Sequence, residues 1–305
     1  NNNNNKNNNN EEMVKILCFS DTHERHIQFN VDNLPSADIV LHAGDFTMTG
    51  SRKAVRSFEE WGQLLLSVPS HQDANTMPTL PRKVIDNVDA RKFKHLVCIA
   101  GNHEKTFEID YFKQNSNDKS INPQEIKDIV SKSKHWIYLE DSMVKSFIFL
   151  YVYAFLVIFY FVLLTPIQIE LCGYKIYGTP WQPFFCNWAF NLHRGKPLQE
   201  KWKLIPKETD ILLTHGPPLG HGDKIPLRYA MMGDGKCHVG CTDLLQHVLQ
   251  YQPLLHIFGH IHDGYGATKQ KDCQTLFVNA SSVNEAYRLN HRPILICIPK
   301  KRNAK

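Results

Sequence analysis

His95-Leu-Val-Cys-Ile-Ala-Gly101-Asn102-His103-Glu104 decides the fold. A short apolar, β-branched run that stops at a glycine reads as a buried strand. The glycine is succeeded by an amide, an imidazole and a carboxylate, all of them metal-ligand or acid–base groups. The layout recurs on both sides. Before it stand Lys15-Ile-Leu-Cys-Phe-Ser-Asp21-Thr-His23 and Asp38-Ile-Val-Leu-His-Ala-Gly44-Asp45. After it come Asp210-Ile-Leu-Leu-Thr-His215-Gly-Pro-Pro and Leu254-Leu-His-Ile-Phe-Gly259-His260-Ile-His262. Ligands at the C-terminal ends of buried strands lie on the rim of a sheet, where open α/β folds place their sites.

The rims are spread over most of the 305 residues and must converge, so one large α/β domain over residues 13–299 is expected. Residues 1–12, an asparagine tract, have no apolar area to offset chain entropy and are read as a disordered tail. Residues 300–305 are read as a basic, solvated tail. The net charge of +5 is not gathered into one stretch, so no nucleic-acid partner is indicated. Of the 8 cysteines, Cys18, Cys98 and Cys297 lie in apolar runs and are expected to pack as small buried hydrophobes. No secretory signal opens the sequence, which points to reduced thiols and a cytoplasmic setting. Cys237 and Cys241 lack a second ligand pair nearby and are read as free thiols rather than half a zinc site.

Between the rims, Lys53 to Leu65 repeats its apolar residues at helical spacing, and Ile121 to Ser131 reads as a helix capped by Asn122. Asp243 to Tyr251 is a third helix. Val68 to Val88, with three prolines, reads as a loop. Trp136 to Leu139 and Tyr174 to Tyr177 read as paired strands, and Thr275 to Asn279 and Pro293 to Ile298 as closing strands.

Residues 146–167 break the pattern. Ser146 to Leu164 has no charge, glycine or proline, and matches the roughly 17–25 residues of a membrane-spanning helix. A single crossing would put Asp21, Asp45 and Asn102 on one side and His215, His260 and His262 on the other. Ligand atoms must come within about 2 Å of an ion, so one span and one site exclude each other. Three readings remain: a membrane-dipping hairpin, an apolar excursion used in dimerisation, or translated intron sequence. The last is preferred, because Phe, Ile, Tyr and Leu have AT-rich codons. A genuine segment would make the protein membrane-associated.

The rim inventory is Asp21, His23, Asp45, Asn102, His215, His260 and His262. These are too many for one ion of about four to six ligands. With Asp45 shared, they divide into two sets of four, and two ions roughly 3.5–4 Å apart form the clamp used for displacement at phosphorus. Mixed nitrogen and oxygen donors without thiolate suit Mn, Fe or Zn. His103 is the natural acid for the leaving oxygen. Asp21 is the expected carboxylate orienting it, and Glu104 the alternative. The aromatic loop from Trp181 to Phe190 reads as core packing or as a wall for a nucleobase. Trp181 and His221 are the candidate substrate contacts.

Taken in order, Asp-x-His, Gly-Asp, Gly-Asn-His-Glu, His and Gly-His-x-His resemble the calcineurin-like metallophosphoesterases. Tyr177-Gly-Thr-Pro-Trp181, Phe190-Asn-Leu, Thr214-His-Gly-Pro-Pro-Leu-Gly220, Val239-Gly-Cys241 and Gly264-Tyr-Gly266 are similar to the small metallophosphoesterase-domain-containing subfamily. The resemblance implies a four-layer double β-sandwich flanked by helices. It implies one ion at Asp21, His23, Asp45 and His262, a second at Asp45, Asn102, His215 and His260, and His103 as the acid. Some members of the subfamily carry glycine at the position of His260 and are weak enzymes; this chain keeps the imidazole. The serine/threonine phosphatase branch is disfavoured by Phe46-Thr47 and Ala100, which stand where that branch carries Asp-Arg-Gly and arginine. The expected activity is hydrolysis of small phosphodiesters, cyclic nucleotides among them. The alternatives are a phosphomonoesterase and a metal-holding interaction protein without turnover.

Overall fold

The structure is a computed structural model that describes residues 12–70, 83–151, 162–168, 170–231 and 235–301. In chain order the strands are β1 (Met13–Phe19), β2 (Ala37–Ala43), β3 (Phe93–Ile99), β4 (Ile137–Tyr138), β5 (Ser142–Met143), β6 (Lys145–Tyr151), β7 (Val162–Gln168), β8 (Ile176–Thr179), β9 (Gln182–Pro183), β10 (Asn191–Leu192), β11 (Ile211–Thr214), β12 (Leu255–Phe258), β13 (Gly266–Lys269), β14 (Leu276–Asn279) and β15 (Ile294–Pro299). The helices are α1 (Arg52–Leu66), α2 (Ile109–Asn115), α3 (Pro123–Ser131), α4 (Lys196–Trp202), α5 (Leu227–Ala230) and α6 (Thr242–Tyr251).

Two sheets carry the molecule, in the orders β15-β1-β2-β3-β4 and β13-β14-β12-β11-β8-β5. The inner strands of both are parallel, with antiparallel strands at the edges: β15 on the first sheet, β13 and β5 on the second. Side chains alternate across a strand, and here both faces are apolar. Ile16, Cys18, Ile39, Leu41 and Val97 face Ile176, Ile211, Leu213 and Val278 between the sheets. Leu17, Phe19, Val40 and Leu96 face the other way, onto Phe58, Trp61 and Leu65 of α1. Tyr177, Leu212, Phe258 and Phe277 meet Leu198 and Trp202 of α4 and Leu244 and Val248 of α6. The result is helix, sheet, sheet, helix: the four-layer sandwich expected.

Local chemistry sets the helices. Ser51 caps α1 by accepting from the Ala54 amide, and Asn122 caps α3 by accepting from the amides of Gln124 and Glu125. Phe58 on α1 stacks between Phe46, at 4.0 Å, and Trp136, at 4.4 Å. That stack fixes α1 over the strand that ends at Asp45.

Three expectations are corrected. The stretches around Trp136 and Tyr174 do not pair. α3 carries the chain over into a parallel β4 beside β3, and Asp141, with φ 47°, turns it into the second sheet. The antiparallel partner of β8 is therefore β5. Cys297 is exposed, because β15 is an edge strand on which Ile296 and Ile298 take the inward positions. The apolar segment includes β6 and β7, an antiparallel pair with Lys145 opposite Gln168 and Tyr151 opposite Val162. The backbone thus leaves and returns at one place, while residues 152–161 lie outside the described residues. Among the described residues, no helix is long and apolar enough to cross a membrane.

Two histidines outside the motifs, His42 and His256, are buried core residues with one hydrogen-bonded ring nitrogen. His256 Nε2 bonds Thr214 Oγ1 at 2.9 Å, and His42 Nε2 bonds Thr22 Oγ1 at 3.0 Å. Burial lowers both rings to about 3. An unfolded histidine takes up its proton near 6.5, so between about pH 6.5 and 3 the unfolded state binds more protons. The stability contributed by these two neutral rings is full above about pH 6.5 and is expected to fall as pH drops toward about 3. Urea midpoints across that window measure it. His256→Asn should flatten the slope by up to about 1.4 kcal/mol per pH unit; an unchanged slope would remove this residue from the acid response.

Candidate metal centre

The C-terminal ends of β1, β2 and β3 meet those of β11 and β12 at one mouth of the sandwich. Each of these strands ends in a motif residue, and four of them take left-handed backbone: Asp21 (φ 48°), His23 (42°), Asp45 (55°) and His260 (67°). Such geometry costs about 1–3 kcal/mol per residue unless its surroundings hold it. They do. The Asp21 amide donates to Gly44 O at 2.9 Å, the His23 amide to Asp45 O at 3.0 Å, and the His260 amide to Asp21 Oδ2 at 2.9 Å.

Two glycines allow the loops to close this tightly. A Cβ on Gly101 would lie 2.3 Å from Asp45 Oδ1 and 2.6 Å from His215 Cε1. One on Gly259 would lie 2.0 Å from Asp21 Oδ2. Side chains cannot be added there without displacing the ligands themselves.

The seven rim residues come together. His215 Nε2 lies 3.2 Å from Asp45 Oδ2 and 2.9 Å from Asn102 Oδ1. His262 Nε2 lies 3.5 Å from Asp21 Oδ1 and 3.3 Å from His23 Nε2. His23 Nε2 is 3.8 Å from Asp45 Oδ2, and His260 closes a group with Asp45 and His215. Two groups, Asp21 with His23 and His262, and Asp45 with His215 and His260, have the geometry to hold metal, and a third, His23 with Asp45 and His103, shares a residue with each. His103 joins beside them, its Nε2 3.9 Å from Asp45 Oδ2.

Backbone carbonyls orient the rings. His23 Nδ1–H donates to Thr47 O (3.2 Å), His103 to Met48 O (2.7 Å), His215 to Ala43 O (2.9 Å) and His262 to Asn284 O (3.1 Å). With Nδ1 so engaged, Nε2 points its lone pair into the cluster, as a ligand imidazole requires. Gln182 Nε2 donates to Asn102 Oδ1 at 3.1 Å, which leaves the amide oxygen facing inward.

Charge follows from this packing. Burial opposes ionisation of Asp21, but the His262 hydrogen bond and charge overcome it and hold the carboxyl well below the usual range. Asp45 is held low in the same way: burial opposes, and chiefly the charge of His215 prevails. Burial works against the His215 cation too, yet Asp45 raises that ring to about 9. Burial lowers His23 and His260 to about 3. A divalent cation would compete with the proton on His215, whereas His23 and His260 are already neutral at about pH 7.

The expected orienter of His103 is not found at Asp21. The Asp21 carboxylate is taken up by the His260 amide and by Ser281 Oγ at 2.8 Å. Nor is it Glu104, whose oxygens accept from the amides of Asp45 (2.8 Å), Gly101 (2.7 Å) and Thr47 (2.8 Å) and from Thr47 Oγ1 (2.8 Å). The Met48 carbonyl does that work. Trp181 donates its indole N–H to Asp141 at 3.0 Å and lies under Lys201. His221 stacks on Phe277 and bonds Thr268 and Gln270. Both are tied into the scaffold, and among the described residues neither has a hydrogen bond or ring contact with the seven. The aromatic rings beside the seven and His103 are Phe185 and Trp188, from the aromatic loop between Trp181 and Phe190, and Tyr287, from a later turn. Trp188 stands 4.2 Å from His103, Phe185 5.3 Å from His260 and Tyr287 4.8 Å from His23. Gln182 and Ser281 were legible: β8 and β14 are also inner parallel strands, and the same rim rule applied to their ends points to both.

A family profile described as calcineurin-like phosphoesterase matches residues 14–264. The chain belongs to that family. Among calcineurin-like phosphoesterases similar to it is metallophosphoesterase domain-containing protein 1 of Homo sapiens, 35% identical over 299 residues, covering 95% of this chain and 72% of the relative. The same protein of Mus musculus matches equally. UPF0046 protein T07D4.2 of Caenorhabditis elegans is 36% identical over 291 residues, covering 94% of this chain and 60% of that one. The donors found here, imidazole, carboxylate and one amide oxygen with no thiolate, fit the divalent metals this family binds.

Proposed function

We propose that the protein is a dinuclear, metal-dependent phosphodiesterase acting on small nucleotide-like diesters, cyclic nucleotides included. The observation that carries the reading is the shared carboxylate of Asp45, placed between one cluster containing His23 and another containing His215 and Asn102. One ion would be held by Asp21, His23, Asp45 and His262, the other by Asp45, Asn102, His215 and His260. Bound there, divalent ions supply polarisation of the phosphoryl oxygens and a water acidic enough to attack at neutral pH.

The chain's own groups do the rest. His103, protonated at Nε2, donates that proton to the leaving oxygen. Its Nδ1–H stays on the Met48 carbonyl in both charge states, so the ring need not turn during transfer. Trp188 and Phe185 flank the mouth beside His103 and His260, where their rings can pack against a bound ester. A diester is favoured over a monoester by charge. A monoester dianion calls for cationic side chains, and among the described residues no lysine or arginine pairs with the seven ligands. Ala100, buried, stands where a cation before Gly-Asn-His would stand.

The test is turnover of bis- and mono-(p-nitrophenyl) phosphate by chelator-stripped protein, with Mn, Fe, Zn, Mg and Ca added back singly. Diester hydrolysis should return with Mn, Fe or Zn and exceed monoester hydrolysis. Monoester preference would favour the phosphomonoesterase alternative. Ion uptake without turnover of either ester would favour a metal-holding interaction protein.

A further inference from the structure

Tyr287 has a backbone that is costly for an aromatic residue. Its φ is 54°, in the left-handed region that large side chains avoid. The turn holding it there is tied on every side. The Tyr287 amide donates to Asn284 O at 2.9 Å, and Arg25 Nε donates to Tyr287 O at 3.3 Å. Asn284 Oδ1 accepts from the amides of Ala286 at 3.0 Å and Arg288 at 3.2 Å. The same Asn284 carbonyl accepts from His262 Nδ1. One oxygen thus fixes both a rim imidazole and the residue beside it. Strain maintained by this many bonds marks a side chain whose position is used.

The position is over the site. The Tyr287 ring meets His23 edge-on at 4.8 Å, His262 at 5.4 Å and His103 at 6.0 Å. Two of those belong to one metal cluster, and the third is the proposed acid. Tyr287 is half-buried, and its hydroxyl has no hydrogen-bond partner among the described residues. Packing alone would be served by phenylalanine; a half-buried phenol usually finds a partner for its O–H. Of the three rings framing the cluster, only this one carries a hydroxyl.

We propose that Tyr287 contacts the substrate, its hydroxyl donating a hydrogen bond to a non-bridging oxygen of the phosphoryl group bound at the centre. The assignment rests on the phosphoesterase reading above and goes beyond it by naming a protein donor for the phosphoryl oxygen. It forms no covalent bond and moves no proton; it holds the phosphoryl group against the imidazoles while His103 acts.

The test uses the full chain loaded with Mn and inorganic phosphate as the probe, read by calorimetry. Tyr287→Phe keeps the ring and removes the oxygen. Hydrogen bonds to charged groups are the stronger kind, so phosphate affinity should fall by about tenfold or more, with metal content and thermal midpoint unchanged. The kcat/KM for the diester should fall by a similar factor. Phosphate affinity within twofold of the parent would overturn the contact. Loss of metal from the variant would also overturn it, since the hydroxyl would then be structural. A metal-loaded parent that takes up no phosphate overturns it as well. A parent that binds phosphate but hydrolyses no ester would remove the hydrolase reading, and the binding ratio would still decide Tyr287.

Discussion

Asp45→Asn is expected to abolish phosphodiester turnover, with a loss of about 10³-fold or more, and to leave less than the parent's complement of metal. The reason is that one oxygen serves two clusters. Asp45 Oδ2 faces His215 at 3.2 Å and His23 at 3.8 Å, while Oδ1 accepts from the His103 amide at 2.8 Å. An amide in its place keeps the shape and can still accept from that amide. It cannot supply the negative charge, and its NH₂ turns a donor toward the centre. In the metal-free protein the substitution removes the repulsion of Asp21 but also the stronger attraction of His215, so some stability is expected to be lost before any metal is added. Thermal denaturation separates the effects. The parent should gain about 2.7 kcal/mol at an ion concentration of about 100 Kd, and the variant much less. Metal analysis and diester assays on the same samples complete the measurement. A variant that retains the parent's metal and turnover within tenfold would show that the clusters do not share this carboxylate.

Asp45 illustrates how much could be read before folding. Each ligand sits directly after a β-branched run, and both the run and the ligand type are local properties. The identity of the rim strands and the convergence of the seven residues at their ends were therefore legible. The division of layers was implied only by the family resemblance; in the structure Leu17 and Phe19 alternate with Ile16 and Cys18, and each pair has its own apolar partner. The illegible part depends on crossings between distant segments. The sequence around Trp136 and Tyr174 has the propensity of a hairpin, but propensity does not say which sheet receives a strand. The aromatic frame is similar. Trp181 and Trp188 are alike in the sequence, and only the left-handed turn at Cys186 and Asn187 sends one toward His103 while the other stays with Asp141. Tyr287 escaped notice because nothing in Ser282-Val-Asn-Glu-Ala-Tyr287 marks a left-handed backbone.

Glu104→Ala is expected to cost stability on the order of 3–6 kcal/mol, together with most of the metal affinity. Glu104 is fully buried. Its two oxygens collect the amides of Asp45, Thr47 and Gly101 and the Thr47 hydroxyl. Those donors belong to the loops after β2 and β3, so one side chain binds together the loops that present Asp45 and Asn102. Burial and the neighbouring Asp45 charge push the carboxyl up to about 8, and deleting it relieves that cost. The opposing loss is larger. Three backbone N–H groups would be stranded without an acceptor, each costing about 1–3 kcal/mol, at the left-handed turn that aims Asp45. Glu104→Gln separates charge from connectivity: its amide oxygen can serve one pair of donors, while its NH₂ meets the other pair donor against donor. Urea denaturation should rank the parent above the glutamine variant and the glutamine variant above alanine. If instead alanine lay within about 1 kcal/mol of the parent, the donors would have found water, and the rigidity of the Asp45 turn would have to come from Gly44 and Gly101 alone.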